Sequence, residues 1–349
     1  MEDEDSPLGL KAQGSTDTTM RRMGLWSPEP SGSGDTRRGV TTVQFARLRG
    51  MKNGVVTREA PSTTAEFERL RGRLFGLAYR MLGSRAEAED VVQDAYVRWH
   101  QADRDAVENA EAWLVTTATR LAIDRLRASA REREAYTGPW LPEPLFGGEA
   151  PDPSRHLEMA SDLSMAFLVL LERLAPDERA AFLLHDVFDC GYGVVARALG
   201  KSEAACRQTV HRARTRVRSE RRRFEVSEGA KRRLLDAFAA AVDSQDEQTL
   251  QSLFAPDATW TADGGGRVPA SPRAIVGGDR IARFVLGLRR GVYSAGVSLR
   301  PATINGESAL TIVVDGQLVA TLSIATDGDR ILHVYAVINP EKLGTESKS

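Results

Sequence analysis

Few residues of this sequence have side chains and spacings suited to catalysis or metal binding. Cys190 and Cys206 are the two cysteines, and five histidines are scattered along 349 residues. The chain has no C-x-x-C pair, and the five-residue step from His185 to Cys190 is not a common ligand spacing. We therefore expect no metal, no cofactor and no disulfide framework. Two cysteines without a framework favour a reducing, cytoplasmic compartment.

The composition is typical of a soluble globular protein. The formal net charge is −1, with 42% apolar and 27% charged residues. No apolar run approaches the ~18 residues of a membrane span, and the acidic opening MEDED lacks the apolar core of an export signal. We therefore expect no membrane association and no export. Any contact with nucleic acid must come from local basic patches.

The densest basic patch follows a helix-turn-helix pattern in residues 190–217. Tyr192–Leu199 fits a first helix, Gly200 a turn residue with positive φ, and Ser202 the cap of a second helix. The second helix has an apolar stripe and an outward face whose residue types suit a DNA major groove. The outward residues are Glu203, Ala204, Arg207, Gln208, His211 and Arg212. A solvated basic helix without a partner is the alternative.

The rest of the pattern divides the chain into further segments. Residues 1–60 are rich in Gly, Ser, Thr, Pro and Asp, and we predict that they are disordered. Residues 61–136 have helical periodicity, with one helix capped by Ser84 and another from about Ala110. Prolines and glycines predict a linker at residues 137–160. Residues 161–226 form a second helical unit that ends in the helix-turn-helix.

Residues 227–349 have a different character. Two helices are followed by the strand-like runs SALTIVV, QLVATLSIAT and RILHVYAVI, which are joined by the hairpin dipeptides Asp315-Gly316 and Asp327-Gly328. This pattern predicts an α+β domain with a twisted antiparallel sheet. The expected fold class is therefore multidomain, with two all-α units and one α+β unit.

The two helical units together resemble a known family. AEAEDVVQDAYVRWH followed by EAWLVTTATRLAIDRLRASARERE is similar to the second conserved region of bacterial sigma-70-family factors. The helix-turn-helix unit is similar to their fourth region. With only these two regions, the chain resembles the extracytoplasmic-function (ECF) group. The resemblance implies binding to core RNA polymerase, through its β′ clamp helices and β flap, and recognition of minus-ten and minus-thirty-five promoter elements in DNA.

The resemblance also implies roles for particular residues. The outward residues of the helix-turn-helix would read the minus-thirty-five element. The β′ clamp helices would contact Asp90, Gln93 and Asp94, an acidic face that suits a basic coiled coil. The minus-ten element would lie near Asn109, Trp113, Thr117, Arg120, Arg125 and Arg127, because an aromatic ring and cations can hold unstacked bases and phosphates. Without the flanking motifs the acids fit a solvated face, and Trp113 suits a core position equally well.

Three short motifs extend the resemblance to the ECF subgroup with a C-terminal SnoaL-like domain, which has the NTF2-like cone shape. The motifs are Trp140, Leu141, Pro142, Glu143 and Pro144 in the linker; Asp263, Gly264, Gly265, Gly266 and Arg267 in a loop; and Asn339, Pro340, Glu341, Lys342 and Leu343 in the tail. In this subgroup the extension resembles an anti-sigma element fused in cis. We therefore predict that the motifs form one interdomain surface that modulates the sigma regions.

Related SnoaL-like domains include cyclases and isomerases that use a carboxylate or a histidine in the cone. The candidates for proton transfer here are Asp263, His333 and Tyr335, with Arg267 as an anion partner. Alternation places His333 and Tyr335 on one face of a strand, and the sequence leaves open which face is the interior. Regulation by protein contact is favoured over ligand sensing and catalysis. An enzyme with a vestigial DNA-binding region and a conventional duplex-binding regulator are the alternatives.

Overall fold

The computed structural model describes residues 63–147, 163–221, 226–291 and 296–344. The predicted disorder at residues 1–60 and the second part of the predicted linker, from residue 148, lie outside these ranges. The first helical bundle consists of α1 (Thr63–Leu82), α2 (Arg85–Gln101), α3 (Ala110–Ala128) and α4 (Ala130–Glu134), with a 3-10 turn at Arg104–Ala106. The second helical unit consists of α5 (Met165–Leu171), α6 (Pro176–Phe182), α7 (Tyr192–Leu199) and α8 (Glu203–Arg221), with a π-helical turn at Leu183–Val187.

Helix ends occur where local chemistry terminates the backbone hydrogen-bond ladder. The Ser84 hydroxyl accepts a hydrogen bond from the backbone of the first turn of α2. Gly200 has φ +64 and ends α7 in the left-handed conformation. The Ser202 hydroxyl then accepts from the Ala205 amide at 3.3 Å at the start of α8. These are the turn and cap positions of the predicted helix-turn-helix.

The C-terminal domain has a six-stranded sheet and four helices. Its helices are α9 (Glu228–Ser244), α10 (Glu247–Ser252), α11 (Gly278–Arg290) and α12 (Pro340–Leu343). Its strands are β1 (Phe254–Asp263), β2 (Ile275–Val276), β3 (Val297–Ile304), β4 (Glu307–Val314), β5 (Gln317–Thr326) and β6 (Ile331–Val337), in the order β2-β1-β6-β5-β4-β3.

The prediction of an antiparallel sheet is wrong for one strand pair. β1 and β6 run parallel, with Trp260 opposite Val334 and Asp263 opposite Val337, whereas the other pairs are antiparallel. Hairpin dipeptides report only the pairing of strands that are adjacent in sequence. The β1–β6 pair joins the two ends of the domain, so no local turn signal announces it. This pairing brings the ends of β1 and β6 together, where the glycine loop and the tail begin.

Three apolar clusters hold the described residues together. The two helical units share one continuous core that extends from Phe67 in α1 to Val217 in α8. A second core lies between the sheet and helices α9, α10 and α11. A third, smaller cluster joins the other face of the sheet to α5. The fold class of helical units plus an α+β domain is confirmed.

The described part of the chain contains no helix with the length and apolar character needed to cross a membrane. Within the same residues, no group of three or more His, Cys, Asp or Glu side chains is arranged to hold a metal ion.

Candidate functional site

A buried carboxylate lies where the proline-rich segment, the glycine loop and the tail meet. Asp263 ends β1 and is 0% exposed. Its Oδ1 accepts hydrogen bonds from the Tyr136 hydroxyl at 2.6 Å and the Gly265 amide at 3.1 Å. Its Oδ2 accepts from the Leu141 amide at 2.8 Å and the Lys342 ammonium at 2.7 Å. We call these five residues the Asp263 cluster. All four partners are donors, which suits an ionised carboxylate.

The Lys342 ammonium connects the tail to residues 137–147, which we call the connecting segment. It donates to the Leu141 carbonyl at 2.5 Å as well as to Asp263, and it lies 4.2 Å from the centre of the Trp140 ring. The Arg133 guanidinium lies 4.1 Å from the centre of the same ring. Burial lowers the pKa of Lys342, and the Asp263 carboxylate opposes that effect. Tail, connecting segment and first bundle are therefore joined by ionic and cation–π contacts.

The glycine loop approaches the tail and residues 136 and 137 too closely for larger residues. Gly265 has φ +58, and a Cβ there would overlap the Asn339 amide and lie 2.9 Å from the Tyr136 oxygen. A Cβ on Gly266 would lie 3.1 Å from the Thr137 side chain. Glycine at these positions permits both the backbone conformation and the close approach.

The tail helix α12 is positioned by its capping residue. Asn339 accepts a hydrogen bond from the Glu341 amide at 3.1 Å and donates to the Tyr136 oxygen at 3.0 Å. Pro340 occupies the first turn, where its missing N–H is not needed. Glu341 also pairs with Arg267 at 2.6 Å, but both side chains are at least half exposed, so this pair contributes little stability.

The connecting segment is attached to both of its neighbours. Glu143 lies at the start of α2, where its carboxylate accepts from the Arg85 amide at 2.9 Å and the Ser84 hydroxyl at 3.3 Å. Burial raises the pKa of Glu143. Leu145 donates to the Asn305 side chain and accepts from the Asn305 amide, at 2.8 Å each. The segment therefore caps a helix of the first bundle and joins the β3–β4 hairpin of the sheet.

Replacing Glu143 with alanine should loosen the first turn of α2. The change removes the acceptor of the Arg85 amide, and loss of a helix cap costs about 1 kcal/mol. Amide hydrogen exchange at residues 85–88 should therefore accelerate about fivefold. Glu68→Ala is the control, because Glu68 is exposed on α1 and pairs only with a neighbour on its own helix in the described contacts. Equal exchange in the two variants would show that Glu143 does not cap α2.

Apolar packing accompanies the polar contacts of the connecting segment. Leu141, Pro142, Pro144 and Leu145 are buried. Leu141 belongs to the small cluster beside α5, whose other members are Met165, Ala166, Ala325, Tyr335, Val337 and Leu343. Full burial of such a side chain contributes about 1.5–3 kcal/mol. Residues 137–147 thus pack between the first bundle, the second helical unit and the C-terminal domain. Among the described residues, their only strand-like pairing is a bridge between Phe146 and Ile304.

The candidates for proton transfer lie on the outer face of the sheet. Val334 packs in the core beneath α9–α11, so alternation directs His333 and Tyr335 to the opposite face. Tyr335 belongs to the cluster beside α5, and His333 Nδ1 lies 2.6 Å from the Thr259 hydroxyl. The structure therefore places neither residue between the sheet and helices α9–α11. The third candidate, Asp263, has both carboxylate oxygens hydrogen-bonded within the Asp263 cluster.

Comparisons with known proteins decide the family. The family profile described as Sigma-70 region 2 matches residues 67–132, and the one described as Sigma-70, region 4 matches residues 164–217. Over 282 residues the chain is 38% identical to the ECF RNA polymerase sigma factor SigJ of Mycobacterium tuberculosis, which covers 77% of this chain and 89% of SigJ. This chain is an ECF sigma factor.

Two further comparisons agree with the assignment. The crystal structure of M. tuberculosis SigJ matches with a TM-score of 0.64 and 37% identity, covering 82% of this chain and 100% of that chain. The probable ECF RNA polymerase sigma factor SigI of M. tuberculosis is 29% identical over 276 residues, covering 77% of this chain and 91% of SigI. The predicted resemblance is therefore confirmed, and the first and second helical units are sigma regions 2 and 4.

In this ECF sigma factor, regions 2 and 4 pack directly against each other. Arg179 of α6 is buried and donates to the Met81 carbonyl at 2.6 Å, near the end of α1. Arg133 donates to the adjacent Leu82 carbonyl and pairs with Glu172 of region 4. The last carbonyls of α1, which lack partners within the helix, thereby receive donors from side chains.

Two arginines predicted to lie near the minus-ten element also contact region 4. Arg120 donates to the carbonyls of Arg197 and Ala198 at the end of α7, the latter at 3.4 Å. Arg127 pairs with Asp177 of α6 at 2.7 Å. In this arrangement region 4 therefore engages both cations.

The other predicted minus-ten residues lie within region 2. Asn109 is exposed and caps α3, accepting from the Ala112 amide at 2.8 Å. Trp113 is half-buried, with its ring centre 5.3 Å from that of Trp99, and Thr117 is half-buried one turn further along. Arg125 pairs with the predicted polymerase-binding residues Asp90 and Asp94, while Gln93 beside them is exposed.

The outward face of α8 is accessible. Its exposed residues are Glu203, Ala204, Arg207, Gln208, His211 and Arg212. Arg207 pairs with Glu203 at 3.0 Å and lies 5.0 Å from the centre of the Tyr192 ring of α7. The opposite stripe, which includes Cys206, Val210 and Ala213, is buried. The helix therefore presents a polar and basic face while its apolar stripe holds it in the core.

Sequence analysis did not identify Tyr136 and Asn305 as site residues. Tyr136 has no motif spacing, yet burial and its hydrogen bond to Asp263 raise its pKa. Asn305 and Gly306 both have positive φ. An Asn-Gly dipeptide between two strand-like runs is a hairpin signal that could have located this turn.

Proposed function

We propose that the C-terminal domain of this sigma factor holds regions 2 and 4 in a closed arrangement that must open for promoter recognition. Core RNA polymerase would provide the opened geometry. The domain would then act as a regulator in cis and have no catalytic role, and the protein would work with polymerase in the cytoplasm.

The observation that carries this proposal is the contact of Arg120 and Arg127 with region 4. The minus-ten and minus-thirty-five elements lie about 25 base pairs apart, which is roughly 85 Å of duplex at 3.4 Å per base pair. Two regions whose side chains touch cannot contact both elements of one straight duplex. Separation of the regions would both span this distance and free the two arginines for phosphate contacts.

The C-terminal domain supports the closed arrangement through the connecting segment. Leu141 of that segment contacts Asp263 and Lys342 in polar interactions and shares an apolar cluster with Met165 of region 4. Because Glu143 attaches the connecting segment to α2 of region 2, movement of region 4 away from them would expose this cluster. Because the domain is covalently attached, its effective concentration is on the order of millimolar, so weak contacts are sufficient.

The polymerase-binding face remains open in the closed arrangement. The side chains of Asp90 and Asp94 are 64% and 49% exposed. The β′ clamp helices could therefore dock on α2 first, and the β flap could then capture region 4 as it separates. This order would make polymerase the partner that opens the chain.

Two observations favour regulation over catalysis in the C-terminal domain. His333 and Tyr335 face away from helices α9–α11, and Asp263 has four donors on its two oxygens. A general base needs a free oxygen or nitrogen within reach of a substrate proton. Asp263 instead serves as the acceptor that joins three parts of the chain.

The minus-thirty-five element should be read through Arg207 and Gln208. Arg207→Ala should weaken binding of the reconstituted holoenzyme to its promoter by about tenfold to a hundredfold, the usual value of one bidentate base contact. A scan of all single-base changes in the element should show relaxed preference at one position. A uniform loss across all sequences would indicate a phosphate contact in place of base reading.

Run-off transcription and gel mobility with and without core polymerase test the proposed function. The template is a promoter selected from genomic fragments by the reconstituted holoenzyme. We expect specific transcripts with core polymerase and only non-specific binding by the free chain. Tight, specific duplex binding by the free chain would favour a conventional regulator, and the absence of transcript with core polymerase would contradict the proposal.

A further inference from the structure

Arg125 is positioned differently from the other predicted DNA-binding arginines. Its Nη1 lies 3.0 Å from Asp90 Oδ2 and its Nη2 lies 2.8 Å from Asp94 Oδ2, on the neighbouring helix α2. Nη1 also approaches the Glu87 carbonyl at 3.3 Å. The guanidinium fork therefore bridges two carboxylates, a geometry that lysine cannot reproduce.

The partners of Arg125 belong to region 2. Arg120 and Arg127 contact region 4, so separation of the two regions would release them. The same separation would leave the bonds of Arg125 to Asp90 and Asp94 intact. The side chain of Arg125 is also 27% exposed, against 57% for Arg127. Opening the molecule would thus supply two free arginines for DNA, with Arg125 still bound to α2.

Asp90 and Asp94 need a cation between them for a physical reason. The two acids are one helical turn apart on the same face, where like charges repel. A bridging guanidinium offsets the repulsion and fixes both side chains in one rotamer each. Side chains fixed before docking lose less entropy when a partner binds them. The outer surfaces of both carboxylates remain exposed.

We propose that Arg125 is a positioning residue of the polymerase-binding face, and that its role is to hold Asp90 and Asp94 for the basic clamp helices. This inference rests on the proposed docking of polymerase on α2. It reassigns Arg125, which the sequence pattern had grouped with the minus-ten contacts.

The test measures two affinities of the full-length chain with Arg125→Gln, Asp94→Asn and the double change. Binding to core polymerase is measured by fluorescence anisotropy over a range of salt concentrations, and promoter binding is measured with every sigma variant saturated by polymerase. Arg71→Gln removes the same charge from an exposed position on α1 and serves as the control.

We expect Arg125→Gln to weaken binding to core polymerase about tenfold, with little further loss in the double variant because the two residues act together. Promoter binding by Arg125→Gln at saturating polymerase should be unchanged, and so should its melting temperature. The control Arg71→Gln should bind polymerase with wild-type affinity. Arg125→Lys should restore only part of the affinity, because the bidentate geometry is lost.

Two results would overturn the inference in distinguishable ways. If Asp94→Asn weakens polymerase binding and Arg125→Gln does not, Arg125 has no positioning role while the proposed docking face stands. If neither change affects polymerase binding, the docking face itself is wrong and the inference falls with it. Loss of promoter binding alone in Arg125→Gln would return this residue to the minus-ten contacts.

Discussion

Replacing Asp263 with asparagine is expected to raise promoter-specific transcription by this sigma factor about fivefold at limiting core polymerase, because the closed arrangement loses stability relative to the open one. The change preserves size and shape. However, each Asp263 oxygen accepts hydrogen bonds from two donors. An asparagine would replace one oxygen with an NH2 group, which would then face two donors and could not accept from either. Lys342 would also lose its counter-charge, and breaking a buried ion pair costs about 3–5 kcal/mol.

The control for this experiment lies on the same strand. Asp257 is an exposed residue of β1, and Asp257→Asn removes the same charge without touching the connecting segment. Its transcription should equal that of the wild type. If Asp263→Asn gave wild-type output, the Asp263 cluster would have no regulatory role. If output fell while binding to core polymerase was retained, the cluster would be needed for activity, and the proposed direction of control would be reversed.

Replacing Gly265 with alanine should open the same interface by a steric route. The added Cβ would overlap the Asn339 amide and press on the Tyr136 oxygen at 2.9 Å. Relieving such an overlap typically costs about 1–3 kcal/mol, in addition to about 1–2 kcal/mol for a side chain in the left-handed region. We expect transcription to rise about threefold at limiting core polymerase, measured by the same run-off assay.

Gly316→Ala separates the cost of a side chain in the left-handed region from the cost of the steric overlap. Gly316 also has positive φ, at +83, but a Cβ there would have no atom within 4 Å. The variant should therefore lower the melting temperature of the C-terminal domain and leave transcription unchanged. An equal rise in transcription in both alanine variants would show that strain in the domain, and not the contact of Gly265 with Asn339 and Tyr136, controls output.

Local sequence signals predicted the elements of this fold well where the chemistry is local. The helix-turn-helix follows from a left-handed Gly200 and a capping Ser202, and both positions depend on neighbours within a few residues. Alternation correctly separated His333 and Tyr335 from Val334. The same reasoning could not say which face lies under the helices, because that depends on residues far away in the chain.

The parts that sequence reasoning could not predict depend on contacts between distant residues. The parallel pairing of β1 with β6 has no turn signature. Residues 137–147 have the composition of a solvated linker, yet Leu141 and Leu145 are each 1% exposed. Their burial depends on partners more than a hundred residues away, such as Asp263 and Asn305. Composition describes a segment alone, whereas burial depends on the surfaces around it.

The resemblance to the ECF subgroup located the candidate site, because the spacing and type of its residues alone did not. The linker, loop and tail motifs carry no spacing that would bring them together, and only the family likeness placed them on one surface. The structure supplies the physical reason for their proximity, namely an acceptor at Asp263 surrounded by donors. The structure also shows that Arg120 and Arg127 contact region 4, whereas Arg125 contacts region 2. Residue type alone could not make this distinction.

The most direct test of the closed arrangement is the distance between regions 2 and 4 in the full-length chain. Spin labels at Gln101→Cys on α2 and Thr215→Cys on α8, both exposed, would be introduced with Cys190→Ser and measured by double electron–electron resonance. We predict a single short distance for the otherwise wild-type chain. A longer population should appear with Asp263→Asn and become dominant when core polymerase is added. An Asp263→Asn distribution identical to that of the parent chain would contradict the claim that the C-terminal domain holds the sigma regions closed.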